Sequence, residues 1–277
     1  MKCSKAIIPV AGYGTRRLPV TKAVEKCMLP LLNRPIIDYV VEDCIRAGVS
    51  DIYFVVSANA VQLRRYYERD EELEEYLRSN GKERLIPSIT PPEGVTFHFI
   101  EQDQAEGLYG TAVPVWLAKD ALDLQDDESV LIIMGDQCLY RTDGGSETKE
   151  LIESVERSGS DSGMIAVPVP EEDVEKYGII EIDEEDNFVQ IVEKPSRAEA
   201  PSNLNNASFY LFDKALFTFV DRYMSIHRDG EYYLTDPINE YVIAGHTLHV
   251  KQSKAAYLDC GIVEGWVAAN QFLLENS

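Results

Sequence analysis

The sequence predicts an α/β fold with a mixed, mainly parallel sheet, and three observations support this prediction. Short apolar runs rich in β-branched residues recur through the first 140 residues, each bounded by Gly, Asp, Ser or Pro. A segment with helical periodicity separates the first two runs. After residue 140 the runs lie close enough in sequence to form β-hairpins. The first two observations indicate parallel strands connected by helices, and the third indicates hairpins added in the C-terminal half.

The N-terminal half reads as alternating strands and helices. Residues 35–48 place apolar side chains three or four positions apart and end at Gly48, so they predict a helix with a glycine cap. With the runs on either side, this helix predicts a βαβ unit. Residues 66–81 predict one charged helix that ends at Asn80-Gly81, with its acidic run facing solvent. The predicted strands are AIIPV (6–10), IYFVV (52–56), VTFHFI (95–100) and VLIIM (130–134).

The C-terminal half reads mostly as strands, with a turn at Glu185-Asp186-Asn187. Residues 261–276 predict an apolar-faced helix, which either docks on a second copy or closes its own domain. Because the chain contains no repeat and no low-complexity linker, we expect one domain over residues 1–277, with halves 1–140 and 141–277. The predicted strands of the second half are 163–169, 178–182, 188–195 and 206–212.

The chain is strongly acidic, since 26 Lys and Arg residues against 48 Asp and Glu residues give a net charge of −22. Such a surface repels nucleic acids and anionic membranes, so we expect neither as a partner. A saline habitat or simple solubility would explain the acidity equally well. The five cysteines are scattered and form no CxxC pair, which argues against a disulfide framework or a zinc site. No apolar run reaches 18 residues and no signal-peptide pattern is found, so the sequence predicts a cytoplasmic protein.

The densest group of cations lies just behind a glycine turn. Gly12 and Gly14 follow the first predicted strand, in the segment AIIPVAGYGTRR. Neither familiar phosphate loop fits, because the dinucleotide fingerprint needs a glycine where Arg17 stands and the P-loop needs Gly-Lys at positions 17 and 18. Since several cations and backbone N–H groups are needed to hold a triphosphate or a pyrophosphate, the segment predicts a polyphosphate site. The residues after the turn that suit this role are Thr15, Arg16, Arg17, Lys22 and Lys26.

The segment over residues 12–43, GYGTRRLPVTKAVEKCMLPLLNRPIIDYVVED, resembles the signature of the sugar-1-phosphate nucleotidyltransferases. Within that family it is most similar to the bacterial-type UTP–glucose-1-phosphate uridylyltransferases, which show GxGTRxLPxTKxxxKxMLPxxxxPxIxYVVEE with identical spacing. The resemblance covers nearly the whole chain. Further segments match in order: EQDQAEGLYGTAV (101–113), GDQ (135–137), YGIIEID (177–183), IVEKP (191–195), EAPSNL (199–204), YLTDPI (233–238) and LDCGIVEGWVAAN (258–270).

The resemblance implies a three-layer α/β/α nucleotide-binding sandwich of the Rossmann-like kind, and it implies nucleotidyl transfer. In that reaction a phosphate oxygen of a sugar 1-phosphate attacks the α-phosphorus of a nucleoside triphosphate in line, and pyrophosphate leaves. By the resemblance, residues 1–140 bind the nucleotide, while residues 141–277 bind the sugar phosphate and form the oligomer. Such a transfer depends on positioning and charge neutralisation more than on a covalent nucleophile.

The resemblance also implies which residues act on the nucleotide. Lys26 would contact the α-phosphate, where charge develops, and Arg16 would grip the departing β- and γ-phosphates. The backbone of the glycine turn would face the base, ribose and phosphates. A glutamine side chain offers one donor and one acceptor, which suits the edge of uracil or thymine. The implied nucleotide-binding residues are Ala11, Gly12, Gly14, Thr15, Gln102 and Gly107.

Two carboxylates and a Glu-Lys pair complete the implied site. Asp136 ends the run VLIIMGD, where an open α/β sheet places its ligands, and Asp259 matches a second acid of the family. Both suit Mg²⁺, a hard cation that shares oxygen ligands with substrate phosphates. Glu193 would accept from sugar hydroxyls, Lys194 would hold the 1-phosphate, and the backbone of Gly178 would face the sugar.

The chain departs from the family pattern at three places. Residues 25–28 read Glu-Lys-Cys-Met where the family usually has Pro-Lys-Glu-Met. Lys26 is kept, but the carboxylate precedes the lysine in this chain instead of following it. The segment over residues 101–113, which resembles the base-recognition loop of the family and is called the base loop below, has one extra residue near Tyr109. It also lacks the usual His. Ser208-Phe209-Tyr210 replaces the usual Gly-Arg-Tyr. These departures affect base and sugar recognition rather than the phosphates.

The sequence therefore predicts Mg²⁺-dependent transfer of a uridylyl group from UTP to glucose 1-phosphate, by a homodimer or homotetramer. One alternative is the same chemistry on dTTP, CTP or another sugar 1-phosphate. A second is a sensor of nucleotide sugars without catalytic activity, although a sensor has no need for a full set of metal and phosphate ligands. A glycosyltransferase would be expected to show a DxD-like metal motif, whereas Asp136 in GDQ is a single acid.

Overall fold

The computed structural model describes residues 2–103, 107–226 and 230–276. The strands are β1 (Lys2–Pro9), β2 (Pro30–Leu31), β3 (Arg34–Pro35), β4 (Asp51–Ser57), β5 (Thr96–Gln102), β6 (Glu128–Ile133), β7 (Gln137–Tyr140), β8 (Ser162–Pro168), β9 (Gly178–Ile182), β10 (Phe188–Glu193), β11 (Leu204–Asp213), β12 (Leu248–Gln252) and β13 (Ala256–Asp259). The helices are α1 (Ile36–Arg46), α2 (Gln62–Tyr67), α3 (Glu71–Ser79), α4 (Ala112–Leu122), α5 (Glu147–Ser158), α6 (Leu216–Ile226), α7 (Thr235–Ile243) and α8 (Val263–Asn276).

A mixed central sheet runs through the molecule in the order β10-β9-β11-β6-β1-β4-β5, with β8 paired to β11 and β12 paired to β8. Strands β6, β1, β4 and β5 are parallel to one another, whereas β11 enters antiparallel to β6. The predicted parallel βαβ unit is therefore confirmed as β1-α1-β4. The predicted C-terminal hairpin is confirmed as β9 and β10, which are antiparallel.

Helices cover both faces of the sheet, which confirms the three-layer arrangement. On β1, Ala6 and Ile8 pack into the core beneath α1 and α5, while Ile7 packs into the core beneath α4, α6 and α7. Strand β6 behaves in the same way, with Leu131 and Ile132 on opposite sides. Because strands covered on both faces need apolar side chains at every position, they read as continuous apolar runs in the sequence.

The single helix predicted over residues 66–81 is wrong, because the chain forms α2 and α3 there with a break between them. Glu68 is extended, with ψ near 152°, and ends α2. The Asp70 side chain accepts a hydrogen bond from the Leu73 N–H at 2.9 Å and begins a new helix. An aspartate cap of this kind competes with a continuous helix, since its carboxylate satisfies N–H groups that have no partner in the first turn.

Helix α8 closes its own domain, which is one of the two alternatives for this segment. Ala269 and Leu273 are buried in the core, and the Trp266 indole donates to the Pro30 carbonyl at 2.7 Å. The opposite side of the helix leaves Val267 and Leu274 more than half exposed. No helix of the described part of the chain is both long and apolar enough to cross a membrane.

Candidate active site

The glycine turn lies at the carboxyl edge of the parallel strands, directly after β1. Gly14 has φ 64° and ψ 38°, a left-handed conformation that favours glycine. A Cβ atom at Gly14 would lie 3.0 Å from Thr21 Cγ2 and 3.1 Å from Lys26 Cβ. The missing side chain thus lets the Lys26 segment approach the turn. Thr15 and Arg16 follow in a short 3-10 turn and are exposed to solvent.

Lys26 and Asp136 meet at the centre of this edge. The Lys26 ammonium forms an ion pair with a carboxylate oxygen of Asp136, whose side chain is 26% exposed. Burial on its own would raise the pKa of Asp136, but the charges of Lys26 and Arg17 outweigh it and lower that pKa below its ordinary value. Asp136 is therefore an ionised carboxylate that is open to solvent.

The second predicted acid lies beside the first. Strand β13 pairs with β7 so that Asp259 is opposite Gln137, the neighbour of Asp136. The Gly261 N–H donates to Asp259 Oδ1 at 2.8 Å, which orients the carboxylate. A Cβ atom at Gly261 would lie 2.9 Å from that oxygen and 3.9 Å from Arg16 Nη2, so Arg16 and Asp259 border the same side of Gly261. The fold thus gathers two cations and two acids from distant parts of the chain.

This arrangement fits a cation that shares its ligands with a substrate. Within residues 2–103, 107–226 and 230–276, no group of three or more His, Cys, Asp or Glu side chains could hold a metal by itself. Two carboxylates suit Mg²⁺, which keeps several water ligands and takes phosphate oxygens as further ligands. Asp136 and Asp259 are the two acids available at the glycine turn for this purpose.

The predicted sugar-phosphate residues form a second group, on the β9–β10 hairpin. Gly178 is opposite Glu193 in the register, and a Cβ atom there would lie 2.9 Å from Glu193 Oε2. Lys194 has φ 47°, an uncommon conformation for a residue with a side chain, and its N–H donates to the Tyr177 carbonyl at 2.9 Å. Glu193 and Lys194 are exposed, so both charges are available to a ligand.

Sequence reasoning missed a partly buried polar group that connects the two sites. Gln137 Oε1 accepts from the Tyr257 hydroxyl at 2.5 Å, and its Nε2 donates to the Ala207 carbonyl at 2.6 Å. Tyr257 packs edge-on against Tyr177, with ring centroids 6.5 Å apart. Gln137 and Tyr257 are close in sequence to Asp136 and Asp259, and this proximity is the signal that would have found them.

The base loop is held by hydrogen bonds along both of its sides. Gln102 is buried, and its Nε2 donates to the Leu108 carbonyl at 3.3 Å, so its side chain supports the loop. Gly107 has φ 75°. Gly110, which was not predicted, has φ 117°, and a Cβ atom there would lie 2.4 Å from the Tyr232 carbonyl oxygen. Residues 104–106 of the predicted loop lie outside the described residues.

The departure around Lys26 has a structural explanation. Glu25 accepts from the Gln62 and Leu63 N–H groups at 2.6 and 3.3 Å, and its own N–H donates to Gln62 Oε1 at 2.8 Å. These hydrogen bonds fasten the segment that bears Lys26 to the start of α2. Cys27 is 2% exposed, and burial raises the pKa of its thiol to about 12, so it is an unreactive core residue.

The sequence pattern of the nucleotidyl transferase family matches residues 5–276. The chain belongs to this family. Similar relatives include the UTP–glucose-1-phosphate uridylyltransferase of Pseudomonas aeruginosa, which is 32% identical over 278 residues that span 98% of this chain and 96% of the relative. The enzyme of the same name from Bacillus subtilis is 34% identical over 245 residues, covering 86% of this chain and 80% of the relative.

Solved structures of UDP-glucose pyrophosphorylases are similar to this chain over nearly its whole length. An apo UDP-glucose pyrophosphorylase superposes with a TM-score of 0.86 at 28% identity, covering 99% of both chains. The UTP-bound enzyme from Acinetobacter baumannii superposes with a TM-score of 0.85 at 26% identity, covering 99% of this chain and 93% of the other. A UDP-glucose complex superposes with a TM-score of 0.81 at 27% identity over the whole of both chains. The resemblance seen in the motifs and the fold class that it implied are confirmed.

Proposed function

We propose that this nucleotidyltransferase transfers a uridylyl group from UTP to glucose 1-phosphate, giving UDP-glucose and pyrophosphate. The observation that supports it most directly is the convergence of Arg16, Lys26, Asp136 and Asp259 beside the glycine turn. Two cations and two acids at the carboxyl edge of a parallel sheet suit a substrate with several phosphate groups. The names and ligands of the relatives supply the nucleotide and the sugar.

The ion pair between Lys26 and Asp136 suggests how the phosphates are received. Lys26 forms an ion pair with Asp136, so its ammonium is already held beside a proposed metal ligand. When the triphosphate binds, Lys26 exchanges the carboxylate for a phosphate oxygen and neutralises the charge that develops there. Arg16, exposed beside Asp259, binds the β- and γ-phosphates as they leave.

The sugar phosphate is received at the β9–β10 hairpin. Glu193 accepts hydrogen bonds from sugar hydroxyls, and Lys194 holds the 1-phosphate so that one of its oxygens faces the α-phosphorus. A divalent cation, which we propose to be Mg²⁺ held by Asp136 and Asp259, would neutralise charge on the phosphates. No protein nucleophile is needed, since the attacking oxygen belongs to the substrate.

The test is pyrophosphate release with a panel of triphosphates (UTP, dTTP, CTP) and sugar 1-phosphates. We expect the fastest turnover with UTP and glucose 1-phosphate in the presence of Mg²⁺. Faster turnover with another pair would replace the proposed substrates but keep the chemistry. If no pair turns over while UDP-glucose binds, the protein is a sensor and the proposed activity is wrong.

The proposed role of Asp136 as a metal ligand predicts that Asp136→Asn selectively loses Mg²⁺-dependent turnover. The variant keeps the shape of the side chain but removes the charge, so Mg²⁺-dependent turnover is expected to fall on the order of 100-fold or more. Asp126→Asn changes the net charge equally at a side chain that is 96% exposed, and it should retain normal turnover. Near-normal activity in Asp136→Asn would remove this carboxylate from the metal site.

The role of Lys26 predicts a change in kcat. Lys26→Ala is expected to lower kcat by about 100-fold or more, because the ammonium acts where charge develops. Lys149→Ala, at an exposed position of α5, is the matched control. A rise in KM with unchanged kcat would show that Lys26 contributes only to ground-state binding.

We also propose that the protein acts in the cytoplasm as a homodimer or homotetramer. All five cysteines are free thiols, and four of them are buried, which suits a reducing compartment. The exposed side of α8 around Val267 and Leu274 supplies apolar surface for association. Light scattering coupled to gel filtration gives the oligomeric state, and a monomer at working concentration would refute the assembly.

A further inference from the structure

Arg17 is buried without partners for one side of its guanidinium group. Its relative exposure is 1%, the lowest of any charged side chain near the glycine turn. Nη1 donates to the Lys26 carbonyl at 3.4 Å. Nε and Nη2 are buried and have no hydrogen-bond partner among the described residues. Since an unpaired buried charge is costly, these two donors are suited to an acceptor from outside the described part of the chain.

The unpartnered atoms form the side of arginine that binds oxyanions. Nε and Nη2 donate in parallel, and their spacing matches two oxygens of a carboxylate or a phosphate. The same protein uses this side elsewhere, because Arg69 Nε and Nη2 donate to the two oxygens of Glu74 at 2.7 and 2.8 Å. At Arg17 the equivalent position has no acceptor within the described part of the chain.

Arg17 also lies near the charged side chains beside the glycine turn. Burial lowers its pKa, while the nearby carboxylates of Asp136 and Asp259 raise it. Its N–H donates to the Gly14 carbonyl at 2.8 Å, as part of the turn that presents Arg16. The guanidinium is thus close to both candidate metal ligands and is joined to the backbone of Lys26.

We propose that Arg17 is a second phosphate-binding arginine, whose Nε and Nη2 donate hydrogen bonds to two phosphate oxygens. These oxygens belong to the β- and γ-phosphates of the triphosphate and, after the reaction, to the released pyrophosphate. This inference rests on the proposed function and adds a residue at a position that the family pattern leaves variable. Arg17 forms no covalent bond and donates two hydrogen bonds. Because both atoms are buried, the proposal requires the glycine turn over residues 12–16 to move when pyrophosphate binds.

The experiment measures binding without turnover, by calorimetry with inorganic pyrophosphate and Mg²⁺, using UMP as the comparison ligand. Arg17→Met keeps the length of the side chain and removes its charge, and Arg17→Lys keeps the charge without the paired donors. We expect Arg17→Met to weaken pyrophosphate binding on the order of 10- to 100-fold, with an intermediate effect of Arg17→Lys and less than a twofold change for UMP. Unchanged pyrophosphate binding, or an equal loss for both ligands, would overturn the proposal.

Thermal unfolding of the free protein supplies a second readout. Replacing an unpaired buried charge by Met should leave the Tm unchanged or raise it, because the cost of burying the charge disappears. If Arg17 were a structural residue, Arg17→Met would lower the Tm. The two proposals fail separately, since loss of turnover on every substrate pair would refute the uridylyltransferase without affecting the dependence of pyrophosphate binding on Arg17.

Discussion

Ser208 adopts a backbone conformation that favours glycine, with φ 56°. It lies where β11 changes register between Asn206 and Tyr210, and its N–H donates to Asn206 Oδ1 at 2.9 Å. Its carbonyl accepts from the Met134 N–H at 3.3 Å, two residues before Asp136. Serine thus adopts a positive φ at the position where the resemblance led us to expect glycine. The irregular strand supports the segment that leads to the carboxylate.

The positive φ of Ser208 predicts an unusual order of stability for the glycine and alanine variants at this position. Both Ser208→Gly and Ser208→Ala remove the hydroxyl, but only glycine relieves the positive φ, so the glycine variant should be more stable by about 1 kcal/mol. Urea unfolding of the two variants measures this difference. At Ser79 in α3, where φ is not positive, the order should reverse, with alanine the more stable by up to about 1 kcal/mol. The same order at both positions would contradict the argument.

At the residue scale, the sequence was sufficient to single out residues that the structure brings together. Gly14 lies in the turn after β1 and Asp136 in the segment after β6, and the structure brings Lys26 against Asp136 at the same sheet edge. The burial of Arg17 could not be predicted, because its sequence context is the same as that of the exposed Arg16. Burial of one cation in a basic turn depends on tertiary packing, in which Arg17 Nη1 donates to the Lys26 carbonyl.

At the scale of elements, one carboxylate joins the first strand to the centre of the sheet. Glu128 begins β6 opposite Lys2, and its oxygens accept from Lys2 Nζ at 2.6 Å and from Lys5 Nζ at 2.7 Å. The Glu128 side chain is only 6% exposed. Hydrogen bonds from Lys2 and Lys5 lower its pKa to about 2. Both lysines are on β1, so the cluster fixes the strand that leads to the glycine turn.

The Glu128 cluster predicts a specific dependence of stability on pH. Because the folded-state pKa lies below its ordinary value of 4.5, the contribution of Glu128 is complete above about pH 4.5 and is lost as the pH falls towards 2. Glu128→Gln should therefore be less stable than the natural protein at pH 7, and the difference should narrow below pH 4.5. Asp127→Asn changes the net charge equally at an exposed neighbour. A difference from the natural protein that is constant with pH, or equal in the two variants, would contradict this role.

Elements with strong periodicity could be predicted, and those defined by distant contacts could not. Helix α1 and the central strands have apolar patterns set by burial on one or both sides. The short strands β7 and β13 pair with each other across more than a hundred residues, so no local pattern identified them. The break before α3 was missed because an Asp70 cap within a run of acids resembles a continuous charged helix.

At the scale of the whole molecule, the site is a cationic region in a strongly acidic protein. The net charge is −22 and the sequence pI is about 4.5. Arg16, Arg17, Lys22 and Lys26 lie within a few residues of one another beside the sheet edge. The acidic surface repels polyanions elsewhere on the molecule, so a triphosphate is attracted at this region in preference to the remainder of the surface.

The same excess of negative charge predicts that salt stabilises the fold. Like charges on a compact protein repel one another, and raising the ionic strength from about 0.01 M to 0.1 M shortens the screening length from about 30 to 10 Å. We expect the Tm at pH 8 to rise with NaCl and with KCl alike, and the rise to shrink as the pH approaches 4.5, where the net charge vanishes. Differential scanning fluorimetry across both salts and several pH values measures this. A Tm that falls with salt would show that surface ion pairs such as Arg34–Glu42 outweigh the repulsion.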